Sequence, residues 1–225
     1  MRILALDTSG KTASCAVLSD GVLFAENFLG SGLTHSQTIM PMMLAMLSGL
    51  KMSLKDIDAF AVSIGPGSFT GIRIGISAVK GMSMATGKPC AGVSTLYALA
   101  AGVAPVHGYI SPALDARRNQ VYTSLFQCEG KVMRRICDDE AISALELESR
   151  LSSLDGPVLI AGDGAGLCSS KMGIICRNDI SQRASGVAKA AFWDNIFVSG
   201  EQLDPIYLRL PQAQRELIEK KEISQ

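Results

Sequence analysis

Asp7-Thr8-Ser9-Gly10 closes the first apolar run of the chain, and a carboxylate beside two hydroxyls at such a place can hold a divalent cation or a phosphate. The same four residues also make a strand-end turn in which Asp, Thr and Ser hydrogen-bond their own backbone, and the turn is the simpler reading. Gly65, Pro66, Gly67, Ser68, Phe69, Thr70 and Gly71 form the most specific stretch. Glycines between a strand and a helix can aim backbone N–H groups at an anion. However, no Lys-Ser/Thr pair follows the last glycine, and the glycine spacing is one residue too long for a dinucleotide fingerprint. Tight turning and close helix approach at a protein interface therefore rank ahead of nucleotide binding.

The remaining reactive side chains assemble no catalytic set. His35 would need a second ligand one turn on, but position 39 is Ile39, and His107 lies between the two halves of the chain. Cys15, Cys90, Cys128, Cys137, Cys168 and Cys176 show no C-x-x-C pair and no adjacent base, as expected of reduced, buried thiols. No nucleophile elbow is present. Arg117-Arg118 and Arg134-Arg135 read as solvated hairpin tips, with a phosphate or carboxylate contact as the alternative. No aromatics are interleaved with them as in single-strand binders.

The bulk properties point the same way. The chain has 225 residues, 48% hydrophobic and 19% charged, enough to bury a core in one large domain or two lobes. Its 21 basic and 21 acidic residues cancel, so no overall field draws it to phosphate backbones or anionic membranes. Any nucleic-acid role must be local or come through a partner. The run Ile3 to Leu6 is too short and wrongly flanked for a signal peptide, and no apolar stretch reaches bilayer length, so a cytoplasmic protein without membrane association is expected.

The elements that position these residues follow from periodicity. Arg2 to Asp7, Thr12 to Leu18 and Val22 to Phe28 read as strands, the last two joined at Asp20-Gly21 by a tight turn. Thr34-x-x-Gln37 has capping-box spacing ahead of a helix reaching Leu47 or Leu50. Strands at Ile57 to Ile64 and Pro89 to Val93 alternate with helices at Gly71 to Ala85 and Thr95 to Ala101. The order then restarts. Tyr109 to Asp115, Val121 to Cys128 and Lys131 to Ile136 are strands, followed by a helix from Ala141 to Leu151, strands at Val158 to Ala161 and near Ile174, a helix from Ala184 to Phe197, and a polar helix after Pro211. Two α/β lobes result, 1–104 and 105–225, each a mixed sheet with helices, and the C-terminal helix is free to pack back on the first lobe. No sequence repeat accompanies the repeated order.

Two neighbouring helices carry more apolar surface than one sheet face covers. Ile39, Met43, Met46, Leu47 and Leu50 form one stripe, with Met40, Met42 and Leu44 pointing elsewhere. On the second helix Gly71, Gly75, Ala78 and Gly81 recur beside Ile72, Ile76, Val79 and Met82, a flat ridge against which another helix can come close. A helical partner meeting Ile39, Met43, Met46, Leu47, Ile72, Gly75, Ile76, Ala78, Val79 and Met82 is the expectation, with an ordinary two-sided core helix as the alternative.

Ile3 to Ser9, His35-Ser36-Gln37, Gly65 to Gly75, Asp115 to Arg118 with Val121-Tyr122, and Pro205 to Arg209 together resemble, in order, the landmarks of the TsaB (YeaZ) family. The resemblance implies a two-lobed actin-like, Hsp70-like ATPase (ASKHA) fold that has lost its own catalysis and carries no cofactor. It also implies pairing with a TsaD-like paralogue through helices of the first lobe, with a TsaE-like ATPase joining. The pair would modify the adenosine beside the tRNA anticodon to N6-threonylcarbamoyladenosine, tRNA being met only through the complex. Alone, the chain would form a homodimer. In TsaD a histidine pair on a helix holds the metal; His35 followed by Ile39 matches the silent paralogue. The competing readings are an ATP-dependent transferase or kinase-like enzyme of the same superfold built on Asp7, and, further off, a metallopeptidase.

Overall fold

In the first sheet the central strand is buried on both faces, which is why it reads as an unbroken apolar run. A computed structural model describes residues 1–130, 132–169 and 173–209; the helix expected after Pro211 lies outside them. Strand β1 (Arg2–Asp7) sends Leu4 and Leu6 to one side and Ile3 and Ala5 to the other, all fully enclosed. Around it stand β2 (Ala13–Ser19), β3 (Val22–Leu29), β4 (Ala59–Gly65) and β5 (Cys90–Ser94), in the order β3-β2-β1-β4-β5. β1, β2 and β3 pair antiparallel, while β4 and β5 continue parallel to β1. Asp20 and Gly21, at φ 50° and 79°, supply the two left-handed positions of a tight β2–β3 hairpin.

The second sheet repeats this plan. β6 (His107–Asp115), β7 (Gln120–Glu129) and β8 (Val132–Ser143) pair antiparallel, and β9 (Val158–Ala161) and β10 (Ile174–Arg177) run parallel beside β6, in the order β10-β9-β6-β7-β8. Read from the other edge it is the first sheet again, three antiparallel strands and then two parallel ones. This doubled order is the two-lobed actin-like fold, each lobe a mixed sheet with helices.

Helices α1 (His35–Gly49) and α2 (Phe69–Thr86) cover one face of the first sheet. The other face is covered by α3 (Thr95–Val103) and α5 (Ala184–Asp194), where Ala98 and Ala101 meet Ala184, Ala188 and Ala191. Their crossing is close: a Cβ on Gly186 would stand 2.1 Å from the Ala98 carbonyl oxygen. Helix α4 (Ala144–Ser152) packs Leu147 and Leu151 on the second sheet. Thus α5 and the segment after it follow the second sheet in sequence but pack on the first. Val198 pairs with Cys90, and Leu203 enters the first core.

Several local expectations need correction. Thr34 stands at the N-cap of α1, but its side chain makes no cap hydrogen bond; the Gln37 N–H goes to the Thr34 carbonyl instead, at 3.0 Å. β8 runs on to Ser143, whose hydroxyl caps α4, so that helix starts after it rather than at Ala141. Asn195, left-handed at φ 51°, stops α5 three residues before Phe197 is reached.

Candidate functional site

The glycine loop and the turn after β1 are one packed unit. Asp7 is buried, and its Oδ1 accepts from the Ser9 N–H at 2.9 Å and the Ser9 hydroxyl at 2.8 Å, while Oδ2 accepts from Ser63 at 2.6 Å. Burial pushes its carboxyl above the usual carboxylate range against the pull of those hydrogen bonds. Thr8 Oγ1 donates to the Gly71 carbonyl at 2.7 Å, and the Ser68 N–H donates to the Ser9 carbonyl at 2.7 Å. Ser68 caps α2 by accepting from the Gly71 N–H. Gly67 adopts φ 155°, and a Cβ there would stand 2.4 Å from the Ser9 carbonyl oxygen; Gly65 adopts φ 125°, and a Cβ there would stand 2.2 Å from the Ile206 carbonyl oxygen. The glycines are required by the close approach of two backbones. His35 joins the same unit, its Nε2 2.9 Å from the Gly10 carbonyl.

Between the lobes lies a cleft of about 500 Å³, bounded by Ser9 to Lys11 and Pro66 to Phe69 on one side and by Leu114 to Arg117, Tyr122 and Asp163 on the other. Arg117, Arg118 and Asn119 turn the β6–β7 hairpin with left-handed φ, and the Arg117 N–H is held by Asp115 at 2.7 Å. Residues 203–209 strap the two lobes together along this cleft. The Ile206 N–H donates to Ile64 at 2.8 Å, Tyr207 stacks on Phe69 with ring centroids 4.9 Å apart, and Arg209 donates to the Ala116 carbonyl at 3.0 Å and to the Gln120 side chain.

Arg135, expected at a solvated tip, stands instead in a second junction between the lobes. Its guanidinium donates to Asp139 at 2.6 Å and Ser124 at 3.1 Å and lies 4.8 Å over Phe126, which stacks on Tyr97 of α3. Asp139 also accepts from Ser94, the N-cap of α3.

The apolar stripes expected to meet a partner face inward. Ile39, Met43, Met46, Leu47, Ile72, Gly75, Ile76, Val79 and Met82 are buried within this chain, packed on Leu4, Leu6, Phe60 and Val62 or, for Gly75, against Thr8 and Val62. Ala78 alone of that set is half-buried on the outer side. What the two helices present outward is a shallow groove of about 490 Å³, walled by Met40 and Ser36 of α1 and by Ile74, Ala78, Ser77, Arg73 and Thr70 of α2, with Ile39 and Phe69 also lining it. Leu44 and Met84, on the same two helices, are 56% and 71% exposed.

Among the described residues, no group of three or more His, Cys, Asp or Glu is placed to hold a metal ion. Burial pushes the Cys15 thiol up to about 12 and Cys168 up to about 11, which suppresses the thiolate needed for nucleophilic attack. No helix among the described residues is long and apolar enough to cross a membrane.

Residues 31–164 match the family described as TsaD: tRNA N6-adenosine threonylcarbamoyltransferase. The tRNA threonylcarbamoyladenosine biosynthesis protein TsaB of Escherichia coli (strain K12) is 32% identical over 228 residues, covering 96% of this chain and 98% of its own. The chain belongs to the TsaB family. The TsaB of Bacillus subtilis (strain 168) is 35% identical over 167 residues, 74% of this chain and 73% of its own. The solved structure of YeaZ from Pseudomonas aeruginosa, 28% identical, superposes with a TM-score of 0.80 over 92% of this chain and 99% of that one. In this TsaB-family chain, sequence reasoning missed the cluster of Phe69, Arg73 and Tyr207. Its only local signal was the four-residue step from Phe69 to Arg73; Tyr207 joins Arg73 from 134 positions away.

Proposed function

We propose that this chain is a non-catalytic subunit that pairs with a TsaD-like paralogue in forming N6-threonylcarbamoyladenosine beside the tRNA anticodon. Pairing uses the outer faces of α1 and α2, a TsaE-like ATPase joins the pair, and tRNA is met only through the complex, in the cytoplasm. Without the paralogue the same groove supports a homodimer. One observation carries the pairing: the groove walled by Met40, Ile74 and Ala78 is apolar on helices whose inner faces the sheet already fills. The names of the relatives supply the pathway. Two further features support a silent subunit over an ATP-dependent enzyme. Both Asp7 oxygens are taken by Ser9 and Ser63, and the position one turn after His35 is a core isoleucine.

The test is co-purification with the paralogue and mass spectrometry of tRNA nucleosides in cells depleted of this chain and complemented with variants. Ala78→Trp is expected to abolish both association and the modified nucleoside while leaving the melting temperature of the isolated chain within about 2 °C, since position 78 faces outward. Gly75 is unsuitable for this purpose, because its Cβ would meet Thr8 Oγ1 at 2.5 Å inside the fold. ATP turnover or group transfer by the chain alone, or full modification with Ala78→Trp, overturns the reading.

A further inference from the structure

Among the described residues Arg73 is the one charged residue lining the α1–α2 groove, and its guanidinium is held in place before any partner arrives. Phe69 lies four residues earlier on α2, so the ring and the guanidinium share a face, with Cζ 3.9 Å above the ring centroid. From the other side the Tyr207 hydroxyl accepts a hydrogen bond from Arg73 Nε at 2.9 Å. Tyr207 is itself fixed by stacking on Phe69 and by its place in the strap, one residue after the Ile206 N–H bonds Ile64. Among the described residues no carboxylate pairs with Arg73. An arginine whose Nε is occupied still offers the fork of its two terminal nitrogens, a geometry that matches the two oxygens of a carboxylate.

We propose that this fork receives an Asp or Glu carboxylate from the helix that the partner lays in the groove, with Phe69 and Tyr207 as positioning residues. The partner surface is therefore an apolar helix face, seated on Met40, Ile74 and Ala78, with one acidic side chain at its edge. Charge complementarity carries this choice: among the described residues the groove wall holds a single cation and no anion, and its other polar side chains are the hydroxyls of Ser36, Thr70 and Ser77. Because the guanidinium is already ordered, little side-chain freedom is lost on docking. The inference rests on the pairing proposed above and makes the strap part of it, since Tyr207 ties the docking face to the same segment that clasps the second lobe through Arg209.

The experiment measures association of the full chain with the TsaD-like paralogue by titration calorimetry, at low and at high sodium chloride, for wild type, Arg73→Glu, Arg73→Lys and Tyr207→Phe. Melting temperatures of the isolated chains run in parallel. Arg73→Glu is expected to weaken association on the order of 100-fold, since a fully paired charge is replaced by a repulsive one. Arg73→Lys keeps the charge but loses the fork, and falls in between. Tyr207→Phe keeps the stack and removes only the acceptor, for a loss of about two- to tenfold. Reversing the paralogue's acidic groove residue to Lys is expected to restore binding to Arg73→Glu and to no other variant, which a merely structural role for Arg73 would not produce. If wild type associates but Arg73→Glu binds equally well, or no single acid-to-Lys change in the paralogue rescues it, the carboxylate inference is wrong and the pairing stands. If wild type fails to associate, the pairing itself is wrong.

Discussion

Gly71→Ala adds one methyl group at the third residue of α2, where the added Cβ would stand 2.0 Å from the Thr8 carbonyl oxygen. A carbon and a carbonyl oxygen come no closer than about 3.3 Å in ordinary packing, so the two backbones must part by roughly 1.3 Å. The Thr8 carbonyl cannot swing aside alone. Its residue donates to the Gly71 carbonyl at 2.7 Å, and the next residue accepts from the Ser68 N–H at 2.7 Å. Overpacking of this kind costs about 1–3 kcal/mol. Losing the two hydrogen bonds adds about 2 kcal/mol, and the better helix propensity of Ala returns about 1 kcal/mol. The net loss is about 2–4 kcal/mol, a fall in melting temperature of roughly 5–15 °C for a chain of this size. Gly81→Ala, on the same helix with nothing within 4 Å of its Cβ, is the control, and it should stabilise by about 0.5–1 kcal/mol. Equilibrium urea unfolding of both variants reads the difference directly. If Gly71→Ala unfolds within about 0.5 kcal/mol of wild type, or if both changes move stability the same way, the packed-junction account of the glycine loop is wrong.

Asp7→Asn tests the buried carboxyl. A carboxyl whose pKa is raised on folding destabilises the native state above the unfolded value, so the variant should gain on wild type as pH rises through the acid range to the folded pKa and hold that gain beyond it. Denaturation midpoints from pH 4 to 8 check this, and a constant difference would remove the claim. Arg209→Ala removes the donors to Ala116 and Gln120, a loss of about 1–3 kcal/mol to the strap. Hydrogen exchange should quicken across residues 203–209 and the β6–β7 turn, with the two sheets unaffected.

Much of the fold was legible because strand and helix periods are local. The unbroken run of β1, the hairpin at Asp20-Gly21 and the left-handed Gly87 that ends α2 follow from residue types within a few positions of one another. The doubled strand order was visible without any sequence repeat, and the second sheet carries it in its pairing. The turn reading of Asp7 to Gly10 also agrees with the hydrogen bonds around Asp7. At the site itself the sequence located the helices, but most of the residues expected to meet a partner pack inward, while Ala78 and Met40 line the outer groove. Ile39, Met43, Met46 and Leu47 announce an apolar stripe, and a stripe states that burial is needed, not what supplies it. The sheet of the same lobe does so.

The amino-acid sequence alone thus determined most of the described elements, their order and the family, since each rests on short-range pattern or on landmarks in register. Only the tertiary structure decided which helix faces remain outside, that α5 and residues 198–206 return to the first lobe, and that Arg73 meets Tyr207. These depend on contacts between residues far apart in the chain, chosen by how whole surfaces pack together, and no local pattern encodes that choice.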